Sequence, residues 1–251
     1  MSKYITGSTD KDYSEYLPGG QESFSHNYDI HDVAFGLDLG EARDYSALSI
    51  VRRTIKVDRQ RSGAVVPDEL KYCAPVYQLI YLKRWPLHIS YSKDVVQDVK
   101  KMLQEGWPGE EKKPYLVLDY TGVGRAVLDI FRQVGMSPIG IHTSNGDRVH
   151  WIPGGYSVPK RDLIGVLTSV FQRGEIQIPA KLPDLKILMA ELANFKIKVT
   201  AKGNDTYEHA KSTGHDDTVI SLALALFYLY NLRPKANSRH SMIRKIQAID
   251  N

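Results

Sequence analysis

Cysteine is almost missing from this chain: Cys73 is the only one in 251 residues. A single thiol excludes an internal disulfide and any cysteine-rich zinc site, and it suits a reducing compartment. Long apolar runs are missing too. The most apolar stretch, Val219 to Leu232, falls short of the roughly 20 residues that span a bilayer, so it reads as a buried core helix and no membrane role is expected. The N-terminus is polar and carries Tyr and Asp, which does not suit a secretory leader. Internal repeats and base-reading modules such as a zinc finger are absent. Neither sign of charge dominates: 33 Lys and Arg against 29 Asp and Glu leave +4, compatible with a polyanionic partner but not diagnostic of one.

What is present is an ordinary globular composition, 42% hydrophobic and 25% charged, with acids in telling places. Asp38 closes the apolar run Val33-Ala34-Phe35-Gly36-Leu37, and Asp119 closes Tyr115-Leu116-Val117-Leu118. Asp216 and Asp217 open the apolar helix that follows, Thr218 to Tyr230. A carboxylate at the C-terminal tip of a buried strand stands on the rim where open α/β sheets bind ligands. Carboxylates gathered there repel one another, and a hard divalent cation is the usual means of keeping them charged and close.

Residues 1–32 read as a flexible, polar lead, residues 33–232 as the folded domain, and residues 233–251 as a basic tail. Within the domain, strands are expected at Val33–Asp38, Tyr45–Arg53 and Val76–Leu82, the first two joined by a Gly40–Asp44 turn, with an exposed loop over Arg59–Asp68. Helical spacing follows over Ser90–Glu105, then the Asp119 strand, a Gly-containing turn, a helix through Val134 and a short strand at Pro138–Ile141. Helices are expected at Pro159–Gln172 and Leu185–Ala193, a short strand near Ile176–Ile178, and a hairpin from Phe195 through Gly203-Asn204-Asp205 to Tyr207. Three meandering strands, then alternating helix and strand, then an acid-headed helix describe an α/β fold: a ribonuclease-H-like mixed sheet, three antiparallel strands plus parallel strands, flanked by helices.

The chain resembles the nuclease domain of phage terminase large subunits. The resemblance is carried by Gly36-Leu37-Asp38-Leu39-Gly40 with Asp44-Tyr45-Ser46-Ala47-Leu48, and by Leu118-Asp119-Tyr120-Thr121-Gly122-Val123-Gly124. Val158-Pro159-Lys160-Arg161-Asp162-Leu163-Ile164 and Gly214-His215-Asp216-Asp217 before Ala223-Leu224-Ala225 complete it. It implies an endonuclease acting on DNA with two Mg²⁺ or Mn²⁺ ions, with Asp38, Asp119 and Asp217 as catalytic acids and Asp216 as a further metal ligand. It also implies a cytoplasmic protein of a bacterial host, phage- or prophage-encoded, with a packaging ATPase, a small terminase or a portal protein as partners. Two departures stand out. No G-x-x-x-x-G-K-[ST] segment accompanies the motifs, so a separately encoded nuclease, a remnant or an excised domain is expected. Some relatives also carry an acid one turn after the His-Asp-Asp triplet, where this chain has Ile220.

Each residue has a plainer reading. Asp38 and Asp119 suit turns after strands. Asp216 or Asp217 suits a helix N-cap, Asp217 being the favoured ligand and Asp216 the favoured cap or support. Asp44 suits an Asx turn, and His215 a loop position, although either is a secondary candidate for the site. Thr121-Gly122-Val123-Gly124 is either a phosphate loop or a tight strand-to-helix turn. Lys160 and Arg161 at a helix start, and Lys196, Lys198 and Lys202 near the hairpin, are candidates for phosphate contact or simply solvated cations. Two further functions remain open at this stage: an actin- or sugar-kinase-like ATP-dependent phosphotransferase, and a non-catalytic DNA-binding module of the same fold.

Overall fold

The computed structural model describes residues 25–40, 44–60, 71–72, 75–105, 113–199, 205–209 and 215–232. The basic tail, Lys202 and most of the N-terminal lead lie outside these residues. β1 (Ser25–Asp38) pairs antiparallel with β2 (Ala47–Gln60) along its whole length, from Ser25 opposite Gln60 to Asp38 opposite Ala47. The first strand therefore starts ahead of the expected Val33, and β2 runs on into the segment expected as a loop. Backbone pairing between the two long strands supplies the order that the polar residues before Val33 do not advertise.

The short β3 (Lys71–Tyr72) and the longer β4 (Val76–Arg84) pair antiparallel with β2. A π-turn at Tyr91–Val95 then leads into α1 (Val96–Glu105). β5 (Tyr115–Asp119) returns to lie parallel to β1, and β6 (Ile139–Ser144) lies parallel to β5, with α2 (Gly124–Gln133) between them. β7 (His150–Ile152) and β8 (Gly155–Pro159) form a hairpin whose second strand joins β6 in parallel. After α3 (Lys160–Gln172), β9 (Ile176–Gln177) pairs with β4 at the other edge. The result is a nine-stranded sheet ordered β7-β8-β6-β5-β1-β2-β4-β9, with β3 attached to β2. The expected ribonuclease-H-like pattern is its centre: β4-β2-β1 antiparallel, β1-β5-β6 parallel. The last elements are α4 (Leu185–Asn194), a separate hairpin of β10 (Phe195–Val199) and β11 (Asp205–His209), and α5 (Asp217–Phe227), extended by a π-turn at Tyr228–Leu232.

Strand alternation divides the core in two. Val33, Phe35, Leu37, Leu48, Ile50, Leu116 and Leu118 pack on one face with residues of α1 and α2. Ala34, Val51, Val117, Ile141 and Val158 face the other way, beneath α3, α4 and α5. α5 is buried all round, as its composition predicts. Its seat on the sheet is set by Gly36: a Cβ there would come within 2.0 Å of the Ser221 carbonyl oxygen and 2.7 Å of the Ala225 nitrogen. Ser221 also meets Ser49 of β2, hydroxyl to hydroxyl at 2.7 Å. A small residue on the middle strand thus lets the helix backbone approach the sheet, and so fixes where its N-terminus ends up.

Candidate active site

Asp38 follows Ala34 and Gly36 on the α5 face of β1, and Asp119 follows Val117 on the same face of β5. Leu37 and Leu118 stand opposite each other in the parallel ladder, so the two aspartates follow on adjacent strand tips. α5 begins with Asp217, and its N-terminus lies over this rim. The charges of Asp119, Asp217 and Asp216 all act on Asp38. The acids expected to converge do share one neighbourhood.

Electrostatics records the crowding. Burial first, then its three carboxylate neighbours, push Asp38 well above the usual carboxylate range, against one backbone N–H from Leu39. Burial raises Asp119, while Thr121 and the positive charges of His142 and Lys160 pull it down. Asp217 is pushed up to about 7, by burial first and then by Glu191, Asp216 and Asp44, with Arg84 opposing. Asp217 is only 4% exposed, and its Oδ2 has no hydrogen-bond partner. An orphaned carboxylate oxygen among like charges is the donor chemistry of a hard cation. Among the described residues, however, no three His, Cys, Asp or Glu side chains stand close enough to form a finished metal cage.

The helix cap is not where local sequence suggests. Asp216 occupies the N-cap position of α5 without making a side-chain cap hydrogen bond. Glu191 of α4 caps instead: its Oε2 accepts from the Thr218 N–H at 2.9 Å, the Val219 N–H at 3.3 Å and the Thr218 hydroxyl. Its Oε1 lies 3.4 Å from Arg84 Nη1. Burial raises the Glu191 carboxyl, and these donors oppose the shift. Arg84 stacks on the Tyr45 ring at 4.0 Å, and Tyr45 meets His215 edge-on at 4.9 Å. His215 Nδ1 stands 3.7 Å from Asp44 Oδ1 and 3.8 Å from Asp217 Oδ2. Asp44 and His215 therefore both reach the site. Beside them opens a groove of about 370 Å³, lined by Arg84, Lys186, Glu191, Asn194 and His215 among others.

On the other flank, Asp119 Oδ1 accepts the Thr121 N–H at 2.7 Å, an Asx turn. A Cβ on Gly124 would fall 1.8 Å from the Asp119 carbonyl oxygen, so the Thr121–Gly124 segment is the tight turn of the plainer reading. Lys160 heads α3 near enough to Asp119 to act on its charge. Arg161 turns away: its Nη2 donates to the Asp147 carbonyl at 2.8 Å and lies 3.5 Å from the Asp147 carboxylate. Lys196 and Lys198 lie on β10, opposite Glu208 and Thr206. Glu191, Arg84, Tyr45 and His142 were not anticipated. His142 directly follows an expected strand, its one available signal; the Glu191 cap has none, since it depends on a tertiary contact.

No protein-family model matches the chain. It is similar to the terminase large subunit of Thermus phage G20c, 32% identical over 197 residues, which is 78% of this chain and 31% of that protein. It is likewise similar to the terminase large subunit of Thermus virus P23-45, at 27% over 197 residues and the same coverage. The chain thus spans about a third of the length of the curated relatives it matches. Among solved structures, the large terminase nuclease from thermophilic phage G20c, crystallised with bound magnesium, overlaps with a TM-score of 0.49 at 27% identity, covering 78% of this chain and 80% of that one.

Proposed function

We propose, starting from the similarity to phage terminase large subunits, that this chain is a divalent-cation-dependent endonuclease that hydrolyses DNA phosphodiester bonds during packaging. The observation that carries the reading is the shared face of Asp38 and Asp119 on adjacent parallel tips, with the buried, unpaired Asp217 Oδ2 above them. Asp38, Asp119 and Asp217 would hold the metal, with Asp216 released from capping and able to assist. Bound there, two Mg²⁺ or Mn²⁺ ions would activate water, polarise the phosphoryl group and neutralise the leaving 3′ oxygen. Binding would draw the rim carboxylates together and relieve the repulsion that raises their pKa values.

The remaining groups have roles that need no metal geometry. Lys160 and His142, beside Asp119, supply positive charge for a phosphate entering from that side. Glu191 and Arg84 hold the start of α5, and with it Asp217, at a fixed height over the sheet. His215 stands between Asp44 and Asp217, within reach of both carboxylates. Recognition runs through phosphates, so binding weakens steeply with salt and shows little sequence preference. Translocation would belong to an ATPase carried outside these 251 residues, with a small terminase and a portal as further partners, in the cytoplasm of a bacterial host.

The test is plasmid nicking and linearisation in Mg²⁺, Mn²⁺, Ca²⁺ or EDTA, with wild type and Asp38→Asn side by side. Cleavage in Mg²⁺ or Mn²⁺ that disappears in EDTA and in the variant is the expected result. An Asp38→Asn protein cutting at the wild-type rate would falsify the metal-site assignment.

A further inference from the structure

We propose that Trp151 is a stacking platform for an unpaired nucleobase of the strand whose phosphate lies at the acidic rim, a reading that rests on the nuclease function above. It is carried by three consecutive ladder registers. Asp119 stands opposite Ile141, Ile141 opposite Tyr156, and Tyr156 opposite Trp151. Residues paired across a sheet project to the same face, so Trp151 shares the face, and the rung, of Asp119. Three interstrand spacings separate the two positions by about 14 Å.

The side chains along this rung change character from inside to outside. Ile141 is fully buried, Tyr156 packs on the edge of the same core, and Trp151 on edge strand β7 is 68% exposed. Little of the indole is used for packing, although an aromatic of this size is costly to leave in water. Arg148 is exposed just before it, and Lys160 lies near enough to Asp119 to act on its charge. Arg161 also fixes the preceding loop through the Asp147 carbonyl. A flat, exposed ring close in sequence to Arg148 and on the rung of Asp119 has the make-up of a single-strand binding surface.

Geometry also selects the form of nucleic acid. In intact duplex both faces of a base are covered by its neighbours, so an indole has nothing to stack on except an end or an opened step. The span of about 14 Å is about four base-pair rises along the axis of B-form DNA, so the platform engages a nucleotide within a few positions of the scissile phosphate. The preferred substrate is then a single strand, or a duplex with a frayed or unpaired segment beside the cut.

The experiment compares wild type, Trp151→Ala and Trp151→Phe for binding to labelled single-stranded and blunt duplex oligonucleotides in Ca²⁺, then for cleavage of both in Mn²⁺. Trp151→Ala should weaken single-strand binding roughly tenfold, with a clearly smaller effect on duplex, and Trp151→Phe should recover most of the loss. In cleavage, KM for single strands should rise by more than kcat falls. Thermal melting of the variants checks that the exposed position leaves the fold intact. If wild type cuts and Trp151→Ala binds single strands as tightly as wild type, the platform is wrong and the nuclease reading stands. An equal loss on both substrates, unrecovered by Phe, also overturns stacking. If folded wild type neither binds nor cuts DNA, the nuclease reading falls and this inference with it.

Discussion

The two ends of α5 treat a buried aspartate in opposite ways. Past its C-terminal end, Arg53 lies 2.6 Å from Asp32 and donates a second hydrogen bond to the Leu229 carbonyl, with all these groups buried. Only Arg53 Nε there lacks a hydrogen bond. At the N-terminal end, Asp217 is as deeply buried, but carboxylates outnumber cations around it and its Oδ2 makes no hydrogen bond, His215 Nδ1 standing 3.8 Å away. One end carries its counter-charge within the chain; the other, on the proposed function, would take it from outside. A buried charge is tolerable only when paired. The first end therefore reads as structure and the second as function, although residue type and burial are the same.

Removing the internal cation should break this contrast most severely. Arg53→Ala removes the buried cation beside Asp32 and should cost about 3–5 kcal/mol, measured by urea denaturation in EDTA. Should the loss prove negligible, the ion pair is not what holds the C-terminal end. A smaller effect is expected from the cap at the opposite end. Glu191→Ala strands the Thr218 and Val219 N–H groups and should cost about 1–3 kcal/mol, with Glu191→Gln, which keeps an acceptor, losing less. Metal affinity, followed by Mn²⁺ titration, should drop in the Ala variant because Asp217 loses its fixed position.

The smallest effect has the opposite sign. The Asp217 carboxyl is raised in the folded protein, so its proton stabilises the fold fully at pH values below the unfolded carboxyl pKa. That contribution is lost as pH rises through about 7. In EDTA, this group's contribution to melting temperature should therefore decline between about pH 4 and pH 7, and Mg²⁺ should restore stability on the alkaline side. Asp38→Asn, by removing one of the repelling charges, should stabilise the metal-free protein at pH 8 by order 1 kcal/mol, about 2–4 °C in melting temperature. A variant less stable than wild type in EDTA would mean that the rim carboxylates are not under mutual strain.

The contrast also explains what could be read in advance. Apolar runs closed by Asp38 and Asp119, and an apolar helix headed by acids, are local patterns, and they place these acids at the strand and helix ends where the structure has them. Their faces followed, because alternation on β1 and β5 is dictated by burial. Local rules failed where a distant group takes over a local role. Asp216 sits at a helix start and looks like a cap, yet the cap is Glu191, contributed by another helix. β7 and β8 are too short to show a period, and Pro159, expected to open a helix, ends β8 where β6 offers a partner. The early residues of β1 are polar and become a strand only through β2.

The cap that comes from another helix also dates the site. A helix that caps itself can organise its first turn before the rest of the chain has collapsed; α5 must wait until α4 has docked, and its acids meet Asp38 and Asp119 only after β1 and β5 have paired across a long stretch of intervening chain. On the proposed function, a cation site built from these acids would be among the last features to form during folding and the first to be lost when the structure opens. Metal bound there would then act on the escape rate, slowing unfolding while leaving the early steps of refolding unaided.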